Sequence, residues 1–189
     1  MSLSILPTAD DSRTNAIFEE LIWALSRPGL LRTMPAGGFT AIAESLLDRE
    51  CTFHVLGDRV LDGESAGDLE RDLAATGARR ADLAQADYVF AALRSAQAVD
   101  DLSRLRIGTL AYPDEAATVF TPANFGTGQQ LRLSGPGIRD SVTITVGGID
   151  ASFWQMRAKA IRYPLGFDLY LVDGDDVVGI PRSTKVEVL

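Results

Sequence analysis

Phe167-Asp-Leu-Tyr-Leu-Val172 and Val177-Val-Gly-Ile180 flank the acidic stretch Asp173-Gly-Asp-Asp176. Two apolar runs of this length, separated by a short segment that contains glycine, are typical of a β-hairpin. Gly174 suits the tight turn that such a hairpin needs, because glycine adopts positive φ without steric cost. The sequence therefore predicts a pair of antiparallel strands near its C-terminal end.

The N-terminal region has the spacing of a helix. Apolar residues between Ile17 and Leu25 recur at three- and four-residue intervals, so they share one face. Asp10, Asp11 and Ser12 offer side-chain acceptors for the free backbone N–H groups at its start. Arg27-Pro28-Gly29 is expected to end the helix, because proline disfavours helix at the preceding residue and Gly29 permits a left-handed turn.

Further elements follow between these two ends. A helix is predicted from Ile149 to Arg162, with Trp154, Ala158 and Ile161 packed inward. We also expect helices at 41–47, 68–75 and 101–106, strands at 52–56, 88–90, 118–121, 130–133 and 142–146, and turns at 61–67. This mixture indicates an α/β fold, with a mixed sheet that carries helices on both faces. The length and the absence of a linker-like segment favour a single domain over residues 1–189.

The charge and composition of the chain exclude several classes of partner. The net charge is −8, from 26 acidic and 18 basic residues, and the basic residues are scattered. Nucleic-acid binding proteins concentrate positive charge, because neutralising phosphates supplies most of their affinity, so we expect no nucleic-acid partner. No apolar run approaches the ~18 residues of a membrane-spanning helix, and residues 1–7 resemble no secretory leader. We therefore expect a cytoplasmic protein without membrane contact.

Groups that commonly carry catalysis are scarce. His54 is the only histidine and Cys51 the only cysteine. These counts exclude a three-histidine zinc site, an HExxH motif, an internal disulfide and a four-cysteine iron–sulfur site. His54 lies inside a predicted strand, where a structural role is the favoured interpretation, and Cys51 is interpreted as a small core residue. We predict no catalytic residue, no metal site and no cofactor site.

The C-terminal segment offers one candidate binding site. Pro181-Arg-Ser-Thr-Lys-Val-Glu-Val188 groups a guanidinium, two hydroxyls and an ammonium. Arg182 can grip a phosphate or phosphonate with two parallel hydrogen bonds, and Ser183 or Thr184 can complete the clamp. The alternative is an exposed strand end whose polar side chains bind nothing. Both interpretations stay open at this point.

The same C-terminal residues resemble a known family. Tyr163-Pro-Leu-Gly-Phe-Asp-Leu-Tyr-Leu-Val172, an acidic turn and Val178-Gly-Ile-Pro-Arg-Ser-Thr-Lys-Val-Glu-Val188 are similar to the C-terminal signature of the PhnH family, the H subunit of the bacterial carbon–phosphorus lyase system. Residues 18–29 resemble the opening helix of that family, and residues 115–119 and 131–138 its middle segments. The resemblance covers essentially the whole chain in the same order.

The chain departs from the family pattern at three positions. Glu19 stands where the resemblance leads us to expect arginine, Glu115 replaces a glycine-like position, and Ser183 replaces a threonine. The first departure removes any expectation of a positive ligand contact on the opening helix.

The resemblance implies a fold and a set of partners. The fold is a three-layer α/β/α arrangement similar to pyridoxal-phosphate-dependent transferases, without the cofactor-binding lysine. Members form homodimers and join a core complex with the G, I and J subunits. That complex transfers an alkyl phosphonate to C1′ of a nucleoside triphosphate ribose, displacing the base, before radical cleavage of the C–P bond. The resemblance assigns the iron–sulfur chemistry to the J subunit and the nucleosidase chemistry to the I subunit.

These observations support three functional hypotheses. We favour an accessory subunit of the carbon–phosphorus lyase core complex, acting at the ribose 1-methylphosphonate 5-triphosphate synthase step without an active site of its own and inactive in isolation. The alternative is an independent small α/β protein that binds a phosphorylated ligand through Arg182, Ser183 and Thr184. The third is a scaffold that binds no small molecule. Because protein interfaces favour arginine and aromatic residues, Arg32, Trp23 and Tyr112 are candidate partner contacts.

Overall fold

The computed structural model describes residues 6–57 and 65–189. Part of the predicted turn at 61–67 and residues 1–5, where no secretory leader was expected, lie outside the described residues. The helices are α1 (Ala9–Ser26), α2 (Gly38–Leu46), α3 (Ala66–Ala75), α4 (Ala96–Asp101) and α5 (Ser152–Ala160). The strands are β1 (Arg32–Thr33), β2 (Thr52–Leu56), β3 (Arg79–Arg80), β4 (Tyr88–Ala91), β5 (Thr118–Pro122), β6 (Asn124–Ser134), β7 (Val142–Gly147), β8 (Asp168–Asp173), β9 (Asp176–Ile180) and β10 (Lys185–Val188).

The predicted C-terminal hairpin is confirmed. β8 and β9 pair antiparallel, with Val172 opposite Val177 and Asp173 opposite Asp176. Gly174 has a φ of +59° in the turn between them. The hairpin belongs to a seven-stranded sheet of order β1-β9-β8-β5-β4-β2-β3, in which β9 runs opposite to the other six strands. The α/β class with a mixed sheet is therefore confirmed.

Helices cover this sheet on two sides. Successive residues of a strand point to opposite faces, so Leu169 and Leu171 of β8 join one buried cluster, whereas Tyr170 and Val172 join the other. The cluster around Tyr170 is completed by the buried faces of α1, α2 and α3. The cluster around Leu169 is completed by α4, α5 and a smaller second sheet.

Three aromatic rings stack across neighbouring parallel strands. The ring centroids of Phe90 and Phe120 are 5.0 Å apart, and those of Phe120 and Tyr170 are 4.9 Å apart. Phe39 of α2 meets Phe90 edge-on at 5.6 Å. At the other end, the Tyr170 hydroxyl donates to the backbone carbonyl oxygen of Leu21 at 3.0 Å. This aromatic ladder joins two helices to the central strands.

The second sheet has the order β10-β6-β7 and is wholly antiparallel. The sequence predicted strands at 130–133 and 142–146, but it did not indicate that they form a sheet of their own. Leu131 and Leu133 are buried, whereas Gln130 and Arg132 between them are exposed. This alternation is expected of an antiparallel sheet with one solvent-exposed face.

The prediction for the last helix was partly wrong. α5 is shorter than the predicted 149–162 segment, and Ala158 is exposed rather than packed inward. Trp154 is buried as predicted, and Ile161 is half-buried. The inward position next to Ala158 belongs to Arg157, which retains only 3% of its exposure.

Two other helix predictions also need correction. α1 begins earlier than expected, because Thr8 is its N-cap. The Thr8 hydroxyl accepts a hydrogen bond from the backbone nitrogen of Asp11 at 3.1 Å. The Asp11 carboxylate in turn accepts one from the backbone nitrogen of Thr8 at 2.8 Å. The predicted helix at 101–106 is instead the end of α4 followed by a single 3₁₀ turn, Leu102–Arg104. The end of α1 at Ser26 and the positive φ of Gly29 match the prediction.

None of the helices within the described ranges has both the length and the apolar character needed to cross a membrane.

Candidate functional site

The candidate ligand-binding residues lie in the turn between β9 and β10. The backbone nitrogen of Thr184 donates to the carbonyl oxygen of Pro181 at 2.9 Å, which closes this turn. α5 packs beside it, and a cleft of about 350 Å³ separates them. The cleft is lined by Trp154, Arg157, Ala158, Ile161, Tyr163, Arg182, Ser183, Thr184, Lys185 and Val186. The structure therefore brings the three predicted residues to one cleft.

Arg182 is held by partners within the chain. Its Nη2 and Nε atoms lie 2.8 and 3.2 Å from the two carboxylate oxygens of Asp168, and its backbone nitrogen donates to the same carboxylate at 2.8 Å. Its Nη1 donates to the carbonyl oxygen of Pro113. An anion bound at this guanidinium would have to compete with Asp168.

Thr184 is the most buried member of the predicted group. Its residue exposure is 2%, and its hydroxyl has no hydrogen-bond partner in the described chain. Ser183 beside it is half-buried. A buried hydroxyl without a partner is uncommon in folded proteins, since it loses water and gains nothing in return.

Arg157 is the residue that the sequence reasoning missed. Its Nη2 donates to the carbonyl oxygens of Pro181 at 2.9 Å and Ile180 at 3.4 Å, and its Nη1 donates to that of Thr184 at 3.3 Å. Its Nε has no partner in the described chain. Burial lowers the pKa of Arg157 to about 10, although the nearby charge of Asp168 opposes the shift.

A signal for Arg157 was present in the sequence. Positions 154, 157 and 161 are separated by three and four residues, and so are positions 154, 158 and 161 in the reverse order. Both sets therefore share one face of a helix. Arginine is almost never fully buried without a paired charge, so composition favours an alanine over an arginine at the inward position. No carboxylate oxygen of the described residues lies within 4.0 Å of the Arg157 guanidinium, so Arg157 is buried without a directly paired charge.

The cleft is electropositive in an acidic protein. Arg157, Arg182 and Lys185 contribute to its lining, and no aspartate or glutamate does. Because Asp168 offsets the charge of Arg182, the excess positive charge comes from Arg157 and Lys185. The chain as a whole carries a net charge of −8. A local concentration of positive charge with partly apolar walls favours a small anion over a cation. Within the described ranges, no group of three or more histidine, cysteine, aspartate or glutamate side chains could hold a metal ion.

His54 and Cys51 lie on the other half of the large sheet, in and just before β2. The Nδ1 atom of His54 is 2.9 Å from the carbonyl oxygen of Ala81, so this nitrogen donates to the backbone. Burial raises the pKa of the Cys51 thiol, and its Sγ lies 3.4 Å from a carboxylate oxygen of Asp48. A raised pKa disfavours the thiolate that a nucleophilic cysteine requires.

The candidate partner contacts are exposed to different degrees. Tyr112 is 60% exposed and Trp23 is 38% exposed. Arg32 is paired with Glu20, with 2.6 Å between Nε and the carboxylate. Trp23 belongs to a larger apolar surface on α1 and the loop after it, which also includes Phe18, Ile22, Leu30 and Leu31, all exposed by 42–53%. We call these five residues the α1 surface.

Comparisons with known proteins point to one family. The model of the bacterial phosphonate metabolism protein family (PhnH) matches residues 8–187. A protein of Stutzerimonas stutzeri named "Putative C-P lyase subunit protein HtxG" is 34% identical over 186 residues, which cover 93% of this chain and 87% of that protein. The "Alpha-D-ribose 1-methylphosphonate 5-triphosphate synthase subunit PhnH" of Rhizobium meliloti (strain 1021) is 34% identical over 100 residues, covering 52% of this chain and 50% of its own length.

Proposed function

Given that this chain belongs to the PhnH family of bacterial phosphonate metabolism proteins, we propose that it is a subunit of a carbon–phosphorus lyase complex. The observation that carries the proposal is the match of the family model to nearly the whole chain. The similarity to a Stutzerimonas protein named as a subunit of such a lyase agrees with it. A cytoplasmic location and a single domain over residues 1–189 are part of the proposal.

The proposed step is the one in the name of the Rhizobium relative. The complex would join an oxygen of methylphosphonate to C1′ of a nucleoside triphosphate, with the bond to the base broken and the base released, and so form the ribose 1-methylphosphonate 5-triphosphate of that name. We propose that this chain supports the transfer without an active site of its own and is inactive in isolation. The bonded state of His54 and the raised pKa of the Cys51 thiol support this assignment.

We also propose that the fold is a three-layer α/β/α arrangement related to pyridoxal-phosphate-dependent transferases. The mixed seven-stranded sheet, with helices on both faces, supports this relationship. The residues present do not fit the cofactor. Lys159 and Lys185 are the only lysines, and both are exposed, on α5 and β10. A lysine that forms a Schiff base needs a desolvated pocket to lower its pKa.

For the partners we propose a homodimer that joins the G, I and J subunits. The α1 surface is the part of the chain that we assign to the homodimer contact, because contiguous exposed apolar residues mark protein interfaces. Its charges are self-complementary. Glu19 lies four residues before Trp23 on α1, and Arg27, directly after α1, holds its guanidinium 4.8 Å from the centroid of the Trp23 ring. Two antiparallel copies that cross at Trp23 would therefore bring each glutamate towards the arginine of the other copy.

Co-expression with the G, I and J subunits tests the subunit assignment. We expect native mass spectrometry to show this chain in one assembly with them, and we expect phosphonate transfer to nucleoside triphosphate by the assembly alone. Turnover by the isolated chain, or failure to join the assembly, would contradict the proposal. Omission of this chain from the co-expression is the matched control.

A second candidate function is an independent small protein that binds a phosphorylated ligand through Arg182, Ser183 and Thr184. The position of all three residues at one electropositive cleft favours this alternative. The isolated chain would then bind its ligand as tightly as the co-expressed assembly does. A scaffold without any small-molecule site is the remaining hypothesis, and the absence of ligand binding in both settings would support it.

A further inference from the structure

We propose that the cleft between α5 and the β9–β10 turn binds a phosphate or phosphonate group, and that Arg157, rather than Arg182, supplies the buried charge. Thr184 would add a hydroxyl, and Lys185 would add an ammonium at the edge. This inference goes beyond the proposed subunit role, which requires no ligand on this chain. It also stands on the geometry of the cleft alone and is independent of family membership.

The charge of Arg157 is the first argument. A guanidinium with 3% exposure has lost most of its hydration, and removing a charge from water is costly unless an opposite charge replaces the water. Three backbone carbonyls supply only partial charges, and two of these contacts are long, at 3.3 and 3.4 Å. Asp168 is near enough to favour the charged form of Arg157, but its carboxylate is bonded to Arg182. An oxyanion in the cleft would provide a countercharge in direct contact with Arg157.

The two polar atoms without partners are the second argument. The Nε of Arg157 and the hydroxyl oxygen of Thr184 belong to residues that line the same cleft, and both atoms are buried without a hydrogen bond. Such atoms are rare, and an absent ligand is one of their recognised explanations. Neither atom is open to solvent, so a phosphoryl oxygen would reach them after a small shift of the side chains that line the cleft, and both could then donate a hydrogen to it. A threonine hydroxyl reorients by rotation about one bond.

Arg182 has a different role in this arrangement. Because Asp168 and Pro113 already engage its guanidinium, it fixes the position of the turn rather than contacting the anion. Lys185 is exposed and lines the cleft. A volume of about 350 Å³ falls near the lower end of the range for small-molecule sites. The ligand class is therefore a compound of the size of a phosphorylated sugar or a small phosphonate.

Calorimetric titration of the full chain tests the proposal, with inorganic phosphate, methylphosphonate and ribose 5-phosphate as separate probes. We expect the wild type to bind at least one of them. Thr184→Val preserves the shape and removes only the hydroxyl, so we expect it to fold with unchanged or raised thermal stability and to weaken binding about tenfold. Lys185→Gln should weaken binding several-fold, and Arg157→Met should abolish it.

Lys159→Gln is the matched control, since it removes an exposed lysine that lies on α5 outside this cleft. It should leave binding unchanged. If Arg157→Met fails to fold, the Thr184 and Lys185 variants still decide the question. The inference is overturned if the wild type binds none of the three probes, or if Thr184→Val and Lys185→Gln both bind like wild type. These outcomes concern ligand binding by the isolated chain. They do not depend on whether the chain joins the G, I and J subunits in the co-expression experiment.

Discussion

Arg182 and Asp168 form a two-pronged ion pair that links the turn after β9 to the first residue of β8. Both side chains are less than one-fifth exposed, at 17% and 19%. The carboxylate also accepts a hydrogen bond from the backbone nitrogen of Arg182, so one aspartate binds both the main chain and the side chain of the same residue. This arrangement keeps the C-terminal turn against the edge of the cleft.

We expect Asp168→Asn to lower the free energy of unfolding by about 1–3 kcal/mol, because it leaves a largely buried guanidinium without its countercharge. Urea denaturation at neutral pH measures the change. Glu187→Gln is the control, because the Arg132–Glu187 pair is about half exposed on each side, at 47% and 54%. Its loss should cost less than about 0.5 kcal/mol. Equal costs for the two variants would contradict the importance of the Asp168 contact.

Ile22→Glu is expected to convert the proposed dimer to a monomer. The substitution places a charge at the centre of the α1 surface, where burial in an interface would leave it without a partner. Sedimentation velocity at several protein concentrations measures the oligomeric state. Leu110→Glu changes a residue that is 79% exposed elsewhere and should leave the dimer intact. A dimer that survives Ile22→Glu would assign the contact to another surface.

Asp87 should make stability depend on acid pH. Burial favours a higher pKa for its carboxyl, but the hydrogen bonds from the hydroxyl and backbone nitrogen of Thr52 and the charge of Arg106 outweigh burial, so the pKa is lowered. A lowered pKa in the folded state means that the contribution is present above about pH 4 and disappears as pH falls further. The carboxylate is 38% exposed, which limits the contribution to about 1 kcal/mol or less.

The variant Asp87→Asn checks this dependence. Its deficit in unfolding free energy relative to wild type should be measurable at pH 7 and should shrink progressively as the pH falls below about 4, because the wild-type carboxyl then becomes protonated. Urea titrations across that range give both curves. A deficit that stays constant with pH would assign the effect to altered packing instead of charge.

Gly179 is required by the close packing of β9 against α1. A Cβ atom at this position would lie 2.6 Å from the backbone carbon and oxygen of Ala24 and 2.7 Å from the backbone nitrogen of Leu25. We therefore expect Gly179→Ala to destabilise the fold by about 1–3 kcal/mol, since the helix would have to move. Gly67→Ala in α3 is the control, because nothing lies within 4 Å of its added Cβ. It should be neutral or stabilising, by up to about 1 kcal/mol, and thermal unfolding distinguishes the two.

The elements with a regular apolar pattern could be predicted from the sequence. The hairpin of β8 and β9 follows from two apolar runs on either side of a turn that contains glycine, and the buried face of α1 follows from three- and four-residue spacing. β1 and β3 were missed because each has only two residues, too few for any pattern. The partition into two sheets was also missed, since strand pairing depends on long-range contacts and not on local spacing.

The site was recovered only in part for a related physical reason. Sequence reasoning found Arg182, Ser183 and Thr184 because they are adjacent in the chain. It missed Arg157, which lies 27 residues before Thr184. Helical spacing allows an inward position for this residue, but local spacing does not show that the inward face meets the turn after β9. It also could not show that Asp168 already neutralises Arg182.

The aromatic ladder has a consequence for spectroscopy. Burial raises the pKa of Tyr170, whose hydroxyl is bonded to the carbonyl oxygen of Leu21. Tyr112 and Tyr163, at 60% and 73% exposure, remain open to solvent. Burial also raises the pKa of Tyr88. Alkaline difference absorbance at the phenolate band should therefore separate in time, with a prompt signal from the exposed phenols and a slow one to which Tyr170 contributes, identified as the part that Tyr170→Phe removes. The slow phase would report how quickly the first helix parts from the strands beneath it.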